Sequence, residues 1–213
     1  MFPLADINRP SRPPVVVKLL VGLNALAFVL ELLLPTEAVI RAFGFVPRAF
    51  WADPVGEAYT ILTSMFLHGG VAHILGNMWF LWVFGDNVED RMGPGRFLLF
   101  YLAGGAVAAV AQALVTPLSP VPMIGASGAV SAVLGAYYVL FPRAQIVTLV
   151  WFVLPFTFLL PAGFYLGYWA FLQLIEGLLG VPGIAFWAHL GGFLWGVFLA
   201  RRFVPRWPRW RRW

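Results

Sequence analysis

Four side chains in this sequence have the chemistry for nucleophilic catalysis. Ser127 lies in the run Gly125–Gly128, at the start of an apolar stretch. A histidine that takes the hydroxyl proton of a serine and returns it to the leaving group is the minimum for such catalysis, and His189 is the candidate. His73 and Asn77 are candidate donors to a developing oxyanion. No Asp or Glu is obviously placed to orient His189, so the predicted arrangement is a dyad rather than a triad.

A packing role and a metal site are the alternatives for these residues. A lone serine in an apolar helix is more often a small residue at a helix crossing, and a lone histidine a satisfied interhelical hydrogen bonder. Three histidines could bind zinc, but His68 and His73 lie about 140° apart around a helix and no HExxH spacing occurs. Cysteine is absent. We therefore expect no metal and no cofactor.

The composition places these residues in a membrane. The chain has 213 residues, of which 61% are hydrophobic and 11% are charged. A soluble domain carries about 25% charged residues, so too little polar surface is available here to cover a soluble fold. One polytopic membrane domain in a lipid bilayer is the expected class.

Apolar runs of nearly membrane-spanning length predict six helices. The expected spans are about 15–34, 69–85, 97–115, 125–141, 160–179 and 184–203. The predicted class is therefore all-α, with a cytoplasmic N-terminal segment (1–14), a membrane domain (15–203) and a cytoplasmic tail (204–213). The N-terminal segment is polar and rich in proline, unlike a secretory signal.

The apolar stretch 145–160 is ambiguous, because Pro155 and Pro161 interrupt it. It is either a segment that lies in the membrane interface or the start of a long, broken fifth span. We favour the interfacial interpretation, since a seventh span would place the arginine-rich tail on the outer side.

The distribution of positive charge predicts that both termini are cytoplasmic. With the N-terminus inside, twelve of the fourteen Lys and Arg residues lie on the inner side, and only Arg41 and Arg48 lie outside. The tail interleaves Arg with Trp, which is more typical of a membrane-surface anchor than of a nucleic-acid patch when it follows an apolar helix. The long outer connection 35–67 is aromatic-rich and is expected to rest partly in the interface.

The same topology brings the four candidate side chains to one depth. Spans 2, 4 and 6 all begin outside, and each carries its candidates within its first two turns. Stripes of small residues, which include Gly128 on span 4 and Gly192 and Gly196 on span 6, allow these two helices to approach closely. Their contact would bring Ser127 beside His189. Glu31 and Glu176 near outer helix ends are expected to snorkel or to accept a helix-end hydrogen bond.

Three motifs in order resemble those of the rhomboid family of intramembrane serine proteases. The stretch that begins HGGVAHILGN has the family's pattern at His68, His73 and Asn77, GASG matches its GxSG motif at Gly125–Gly128, and AHLGGFLWG matches AHxxGxxxG from Ala188. The similarity covers residues 60–203.

The resemblance implies a six-helix rhomboid-like bundle with Ser127 as nucleophile and His189 as base. It implies an oxyanion site built from the Ser127 N–H, His73 and Asn77. It also implies that the partners are transmembrane protein substrates, cut near the outer face without metal or ATP. We expect no nucleic-acid partner and a location in a prokaryotic inner membrane. By analogy, the segment 161–173 is expected to form a lateral gate against span 2.

Two positions depart from the family pattern. Many relatives carry an aromatic residue four positions after the serine, where this chain has Ser131, so something else must orient the imidazole, for example a nearby Trp or Tyr. Many also carry a Trp-Arg pair in the first outer loop, where this chain has Tyr59 and Thr60. Neither change removes a reacting group.

Two other classes of function remain as alternatives. A catalytically inactive rhomboid-like binding or chaperone protein would use the same scaffold, but such proteins usually lack the serine or the histidine. A transporter or channel would place ionisable groups and broken helices near mid-bilayer, whereas the polar cluster here is at the outer rim.

Overall fold

Six long helices form where the apolar runs predict them. The computed structural model describes residues 1–151 and 155–205. The long helices are α1 (Val16–Leu33), α5 (Val71–Met92), α6 (Pro94–Val115), α7 (Ser127–Leu140), α8 (Ala162–Leu178) and α9 (Phe186–Phe203). Their bounds lie within three residues of the predicted ones, except that α5 continues to Met92. There Gly93, with a φ of 81°, ends α5, and Pro94 begins α6.

The hydropathy of these helices is uneven. By length and composition, α1 and α6 are each apolar and long enough to cross a membrane. Helix α7 is apolar but has only 14 residues, which corresponds to about 21 Å. The arrangement of six spans and the side on which each terminus lies remain predictions.

A three-stranded antiparallel sheet corrects the all-α prediction. Strands β1 (Phe2–Asp6), β2 (Gln145–Trp151) and β3 (Pro155–Pro161) pair in the order β1-β2-β3. The stretch 145–160 is thus not the beginning of a broken fifth span. Its prolines disfavour a helix, its β-branched and aromatic residues favour strands, and α8 begins directly after Pro161.

The N-terminal segment is docked on the helices as well as on the sheet. The Glu89 carboxylate accepts hydrogen bonds from the backbone N–H groups of Val15, Val16 and Val17 at 2.8–2.9 Å. These are N–H groups at the start of α1 that the helix itself leaves unpaired. Trp79 on α5 donates its indole N–H to the carbonyl of Pro3 at 2.6 Å.

Helix α7 is the centre of the bundle. Every residue from Ala129 to Tyr137 is buried, which shows that other elements surround this part of the helix. A helix that is buried on all sides is expected to be apolar on all sides, as α7 is. Helix α9 runs parallel to α7, since Gly192 lies beside Gly128 and Gly196 beside Ala132. Helix α5 also runs parallel to α7, since Asn77 lies beside Gly125 and the later Phe84 contacts Tyr137. The N-termini of the three helices therefore meet at one end of the bundle.

The connection 35–67 folds into short helices. These are α2 (Thr36–Phe43), α3 (Pro47–Ala52), α4 (Thr60–Thr63) and a 3₁₀ turn (Ser64–Phe66). Phe45 is fully buried and exchanges two backbone hydrogen bonds with Met123, in the loop before α7. Tyr59 is one of the two positions where many relatives carry a Trp-Arg pair. Its hydroxyl donates to the carbonyl of Ala42 at 2.7 Å. Most of the predicted Arg/Trp anchor, residues 206–213, lies outside the described residues.

Candidate active site

Ser127 is the first residue of α7, at the end where the three helix N-termini meet. The turn before it requires Gly125, whose φ of 117° is unfavourable for residues with a side chain. The Gly125 N–H donates to the carbonyl of Ser64 at 2.8 Å, and this bond fixes the turn against the 3₁₀ segment. Ser127 is only half-buried and remains accessible from one side.

His189 faces Ser127 from the first turns of α9. Its Nε2 lies 2.9 Å from the Ser127 Oγ, which is within hydrogen-bonding distance. The 62 residues between them in sequence are brought together because α7 and α9 touch backbone to backbone. The two side chains that the sequence predicts as a dyad are therefore in contact.

Glycines make this contact possible. A Cβ at Gly192 would lie 2.1 Å from the carbonyl oxygen of Gly128, and one at Gly196 would lie 2.2 Å from that of Ala132. Real Cβ atoms do not approach a carbonyl oxygen this closely. On another face of α7, a Cβ at Gly128 would lie 2.6 Å from the Cβ of Ala108 on α6. The small-residue stripes are thus the surface along which α7 packs.

His73 and Asn77 lie beside the turn that precedes Ser127. A Cβ at Gly125 would lie 2.7 Å from His73 Nε2 and 3.5 Å from Asn77 Nδ2. The Gly69 N–H donates to His73 Nδ1 at 3.3 Å, so in a neutral ring the proton is on Nε2, which faces Gly125. In the part of the chain that the structure describes, the buried Asn77 Nδ2 has no hydrogen-bond partner. Two N–H donors therefore point toward the same small space.

Glu31 ties α1 to this region. Its side chain is only 2% exposed, so it does not snorkel to the interface. One carboxylate oxygen accepts the backbone N–H of His68 at 3.0 Å. The His68 ring in turn packs edge-on against His73, with centroids 5.1 Å apart. Burial, together with the neighbouring His73, lowers the pKa of His68 to about 4, so this ring is neutral at physiological pH.

Gln173 on α8 is the polar neighbour of His189 that sequence reasoning missed. Its Oε1 lies 2.6 Å from His189 Nδ1, and its side chain is only 8% exposed. The signal in the sequence was a single amide in the apolar run of α8. Nothing in its spacing connects it to a residue on another helix.

Helix α8 also supplies one of two aromatic neighbours of His189, the other being Phe186 on α9. The Trp169 ring centroid lies 6.1 Å from that of His189, and the two planes are tilted by 33°. Ser131, where relatives often have an aromatic ring, instead donates its hydroxyl to the carbonyl of Ser127 at 2.7 Å. The expected ring beside the imidazole is therefore present, but it comes from another helix.

A wide groove of about 980 Å³ gives access to Ser127 and His189. Its walls include Phe80 on α5 and Trp169 on α8. The expected gate segment 161–173 needs correction, because Gly163 contacts Pro142 at the opposite end of the bundle. Only the later residues of α8, from Trp169 onward, lie beside the groove.

A small cavity of about 10 Å³ lies beside Ser127. Its lining includes small residues such as Gly105 and Ala108 and larger ones such as Ile61 and Met123, and these together leave little free space. Among the described residues, no group of three or more His, Cys, Asp or Glu side chains is arranged to hold a metal ion.

Comparison with known proteins agrees with the motifs. The sequence model of the rhomboid domain family matches residues 55–206 of this chain. The chain is 43% identical to rhomboid protease GluP of Bacillus subtilis over 101 residues, which are 47% of this chain and 19% of that protein. It is 31% identical to the putative rhomboid protease YdcA of the same bacterium over 121 residues, 51% of this chain and 60% of that protein.

A mitochondrial protein is also among the relatives. The chain is 30% identical to presenilin-associated rhomboid-like protein A of Danio rerio over 158 residues, 72% of this chain and 40% of that protein. In each of these three matches, the chain spans less than two thirds of the relative's own length.

Proposed function

This chain belongs to the rhomboid family of integral membrane proteins, and from that premise we propose that it is an intramembrane serine endopeptidase. Its substrates would be other membrane proteins, cut in or near their transmembrane segments. The observation that carries the proposal is the 2.9 Å distance between Ser127 Oγ and His189 Nε2. A hydroxyl hydrogen-bonded to an imidazole is the arrangement that activates a serine.

Acylation would begin with transfer of the Ser127 hydroxyl proton to His189 Nε2. As the proton leaves, Oγ forms a bond to the scissile carbonyl carbon, and the carbonyl oxygen becomes an oxyanion. The tetrahedral intermediate then collapses, and the C–N bond breaks. The leaving amine takes the proton from His189, which leaves an acyl-enzyme on Ser127.

The oxyanion would be stabilised by N–H groups that lie beside the turn before Ser127. Asn77 Nδ2 is buried without a partner among the described residues, so an incoming oxyanion would satisfy it. His73 Nε2 is a donor in the same space, and the Ser127 N–H is at the first turn of α7, where helical N–H groups are unpaired. Preorganised donors of this kind are often the largest contribution to acyl-transfer catalysis.

Deacylation requires a water molecule at the acyl-enzyme. His189 would take a proton from the water, whose oxygen attacks the acyl carbon, and would return that proton to Ser127 Oγ as the ester bond breaks. The open groove that reaches Ser127 and His189 provides a path for this water.

The surroundings of Ser127 favour a small side chain at the cut. The cavity beside the nucleophile has a volume of only about 10 Å³, so a bulky side chain would clash with its walls. We therefore expect Ala, Ser or Gly before the scissile bond rather than Leu or Phe.

A substrate helix would enter laterally between α5 and α8. This gate is tested by introducing cysteines at Phe80 and Trp169, which both line the groove, and joining them with a reducible cross-linker, since the chain has no other cysteine. Cross-linking should stop cleavage of a single-span substrate, leave labelling by a small phosphonate intact, and be reversed by reduction. Unchanged cleavage in the cross-linked protein would exclude this route.

The proposed membrane arrangement has six spans, formed by α1 and α5–α9, with both termini in the cytoplasm. It is supported by the twelve positive charges that this topology places inside. The short α7 would begin below the outer surface, so that Ser127 lies within the membrane at a shallow depth. We propose a prokaryotic inner membrane as its location.

The function is tested by comparing purified wild type with Ser127→Ala. Wild type should cleave a model single-span substrate and be labelled by a serine-directed phosphonate, and the variant should do neither. Ser11→Ala, which changes an exposed serine in the N-terminal segment, is the matched control and should behave as wild type. Cleavage and labelling of the Ser127→Ala variant at wild-type rates would overturn the proposal. A wild type that is inactive on all substrates would favour the binding or chaperone alternative.

A further inference from the structure

We propose that Gln173 is a positioning residue that fixes the tautomer and the orientation of His189. This role rests on the proposed function, because it matters only if His189 acts as a base. Its physical basis is the 2.6 Å contact between Gln173 Oε1 and His189 Nδ1. The pair joins α8 to α9 across 16 residues of sequence.

The contact selects one tautomer of the imidazole. A neutral imidazole carries one N–H, and an amide oxygen can only accept a hydrogen bond. The proton therefore belongs on Nδ1, and the lone pair of Nε2 faces Ser127 Oγ at 2.9 Å. If the Gln173 amide were turned so that its NH₂ donated to Nδ1, the proton would be on Nε2, and the ring could not accept the Ser127 proton.

The burial of Gln173 makes this contact more than incidental. Its side chain is 8% exposed in a helix where Leu174 and Ile175 face outward, so it is directed into the protein. A buried amide without a partner is unfavourable, which commits the side chain to His189. Trp169 lies one turn earlier on the same helix and packs against the imidazole. One side chain thus holds the face of the ring, and the other holds its Nδ1 edge.

A neutral partner gives this site a character different from that of a Ser-His-Asp triad. A carboxylate would stabilise the imidazolium by charge, whereas the Gln173 amide supplies orientation and a hydrogen bond without net charge. Replacing the amide with a carboxylate should therefore keep the orientation but make His189 more basic. This difference separates a positioning role from a merely structural one.

The experiment uses Gln173→Met, which removes the acceptor but keeps the length, and Gln173→Glu, which keeps an acceptor. Leu174→Ala, at an exposed position next to it, is the control. For Gln173→Met we expect kcat to fall by about ten- to a hundredfold, part of the 10²–10⁴ that a positioned base supplies, with KM nearly unchanged. Gln173→Glu should recover much of kcat and shift the acidic limb of its pH profile to higher pH. Wild-type kcat and pH profile in folded Gln173→Met would overturn the proposal.

A second readout does not depend on protease activity. In protein labelled with ¹⁵N-histidine, His189 should show a protonated Nδ1 and an unprotonated Nε2, and Gln173→Met should lose this preference. A His189 that keeps its protonated Nδ1 in Gln173→Met would overturn the positioning role and leave the protease function standing, because the unprotonated Nε2 would still face Ser127. A protonated Nδ1 in a protein that neither cleaves nor labels would support the contact and overturn the proposed function instead.

Discussion

The two helices that hold His189 in place, α9 and α8, pack in opposite ways. Helix α9 meets α7 through glycines whose missing side chains leave the backbones in contact, as at Gly192 and Gly128. Helix α8 reaches His189 through two large side chains, Trp169 and Gln173, and borders an open groove. A backbone contact fixes the distance between nucleophile and base, whereas side-chain contacts from a helix beside a groove adjust the orientation of the ring.

The largest effect should come from breaking the backbone contact. In Gly192→Val, the new side chain begins 2.1 Å from the carbonyl oxygen of Gly128, so the helices must separate. We expect loss of both activity and thermal stability, measured by substrate cleavage and by the unfolding temperature in detergent. Gly22→Ala is the control, because no atom lies within 4 Å of its new Cβ. A fully active Gly192→Val protein would show that the close approach is not required.

The second effect concerns the donors beside the turn at Gly125. Asn77→Ala should lower kcat by about 10²–10³, the usual loss for one oxyanion donor. Its unfolding temperature should hardly fall, because Asn77 Nδ2 gives up no hydrogen bond within the described residues. Parallel kinetics and thermal unfolding check this prediction. A large loss of stability with unchanged kcat would make Asn77 a structural residue instead.

The third effect is smaller and tests the side-chain contact of α8. Trp169→Leu should lower kcat by about two- to tenfold, since an aromatic contact contributes about 0.5–1.5 kcal/mol. Steady-state kinetics measures this effect, and Trp82→Leu, at an exposed tryptophan on α5, is the control. A loss as large as that of Asn77→Ala would mean that the Trp169 contact is as important for catalysis as a donor to the oxyanion.

The smallest effect lies at the other end of α7. The Tyr137 hydroxyl donates to the Asp6 carboxylate in β1, and Asn87 donates to the same oxygen at 2.9 Å. Burial, with a further contribution from Asp86, raises the pKa of Asp6 to about 6. Because this is above its unfolded value, the unfolded chain ionises first as the pH rises, and stability falls between pH about 4 and about 6.

Asp6→Asn should remove this dependence. The unfolding temperature of the variant relative to wild type should therefore rise across that pH interval and level off above it. Thermal unfolding at half-unit pH steps measures the difference. A difference that does not change with pH would show that Asp6 keeps its ordinary titration in the fold.

The sequence was most informative where one helix carries its own signal. The bounds of α9 differ from the prediction by two residues at one end, because an apolar run and the small-residue stripe both mark that helix. The approach of Ser127 and His189 followed from two stripes that are each visible locally. Such features need no knowledge of distant parts of the chain.

The sequence failed where a residue takes its meaning from a partner that local patterns do not reveal. Strand β1 pairs with residues at least 140 positions away, as Phe2 does with Leu149. Apolar residues on both faces of β2 hid the alternation that is typical of a strand. Gln173 likewise looks like any amide in a helix until α8 is placed against α9. Both errors concern long-range contacts rather than local conformation.

The most direct test of the central claim is to map the adduct of a serine-directed phosphonate by mass spectrometry. In the wild type, we expect one adduct, on Ser127, and in His189→Ala its formation should slow by at least about 10², because the base that removes the hydroxyl proton is gone. An adduct on another serine, or equal labelling of Ser127 in His189→Ala, would contradict the account of Ser127 and His189 as a catalytic pair.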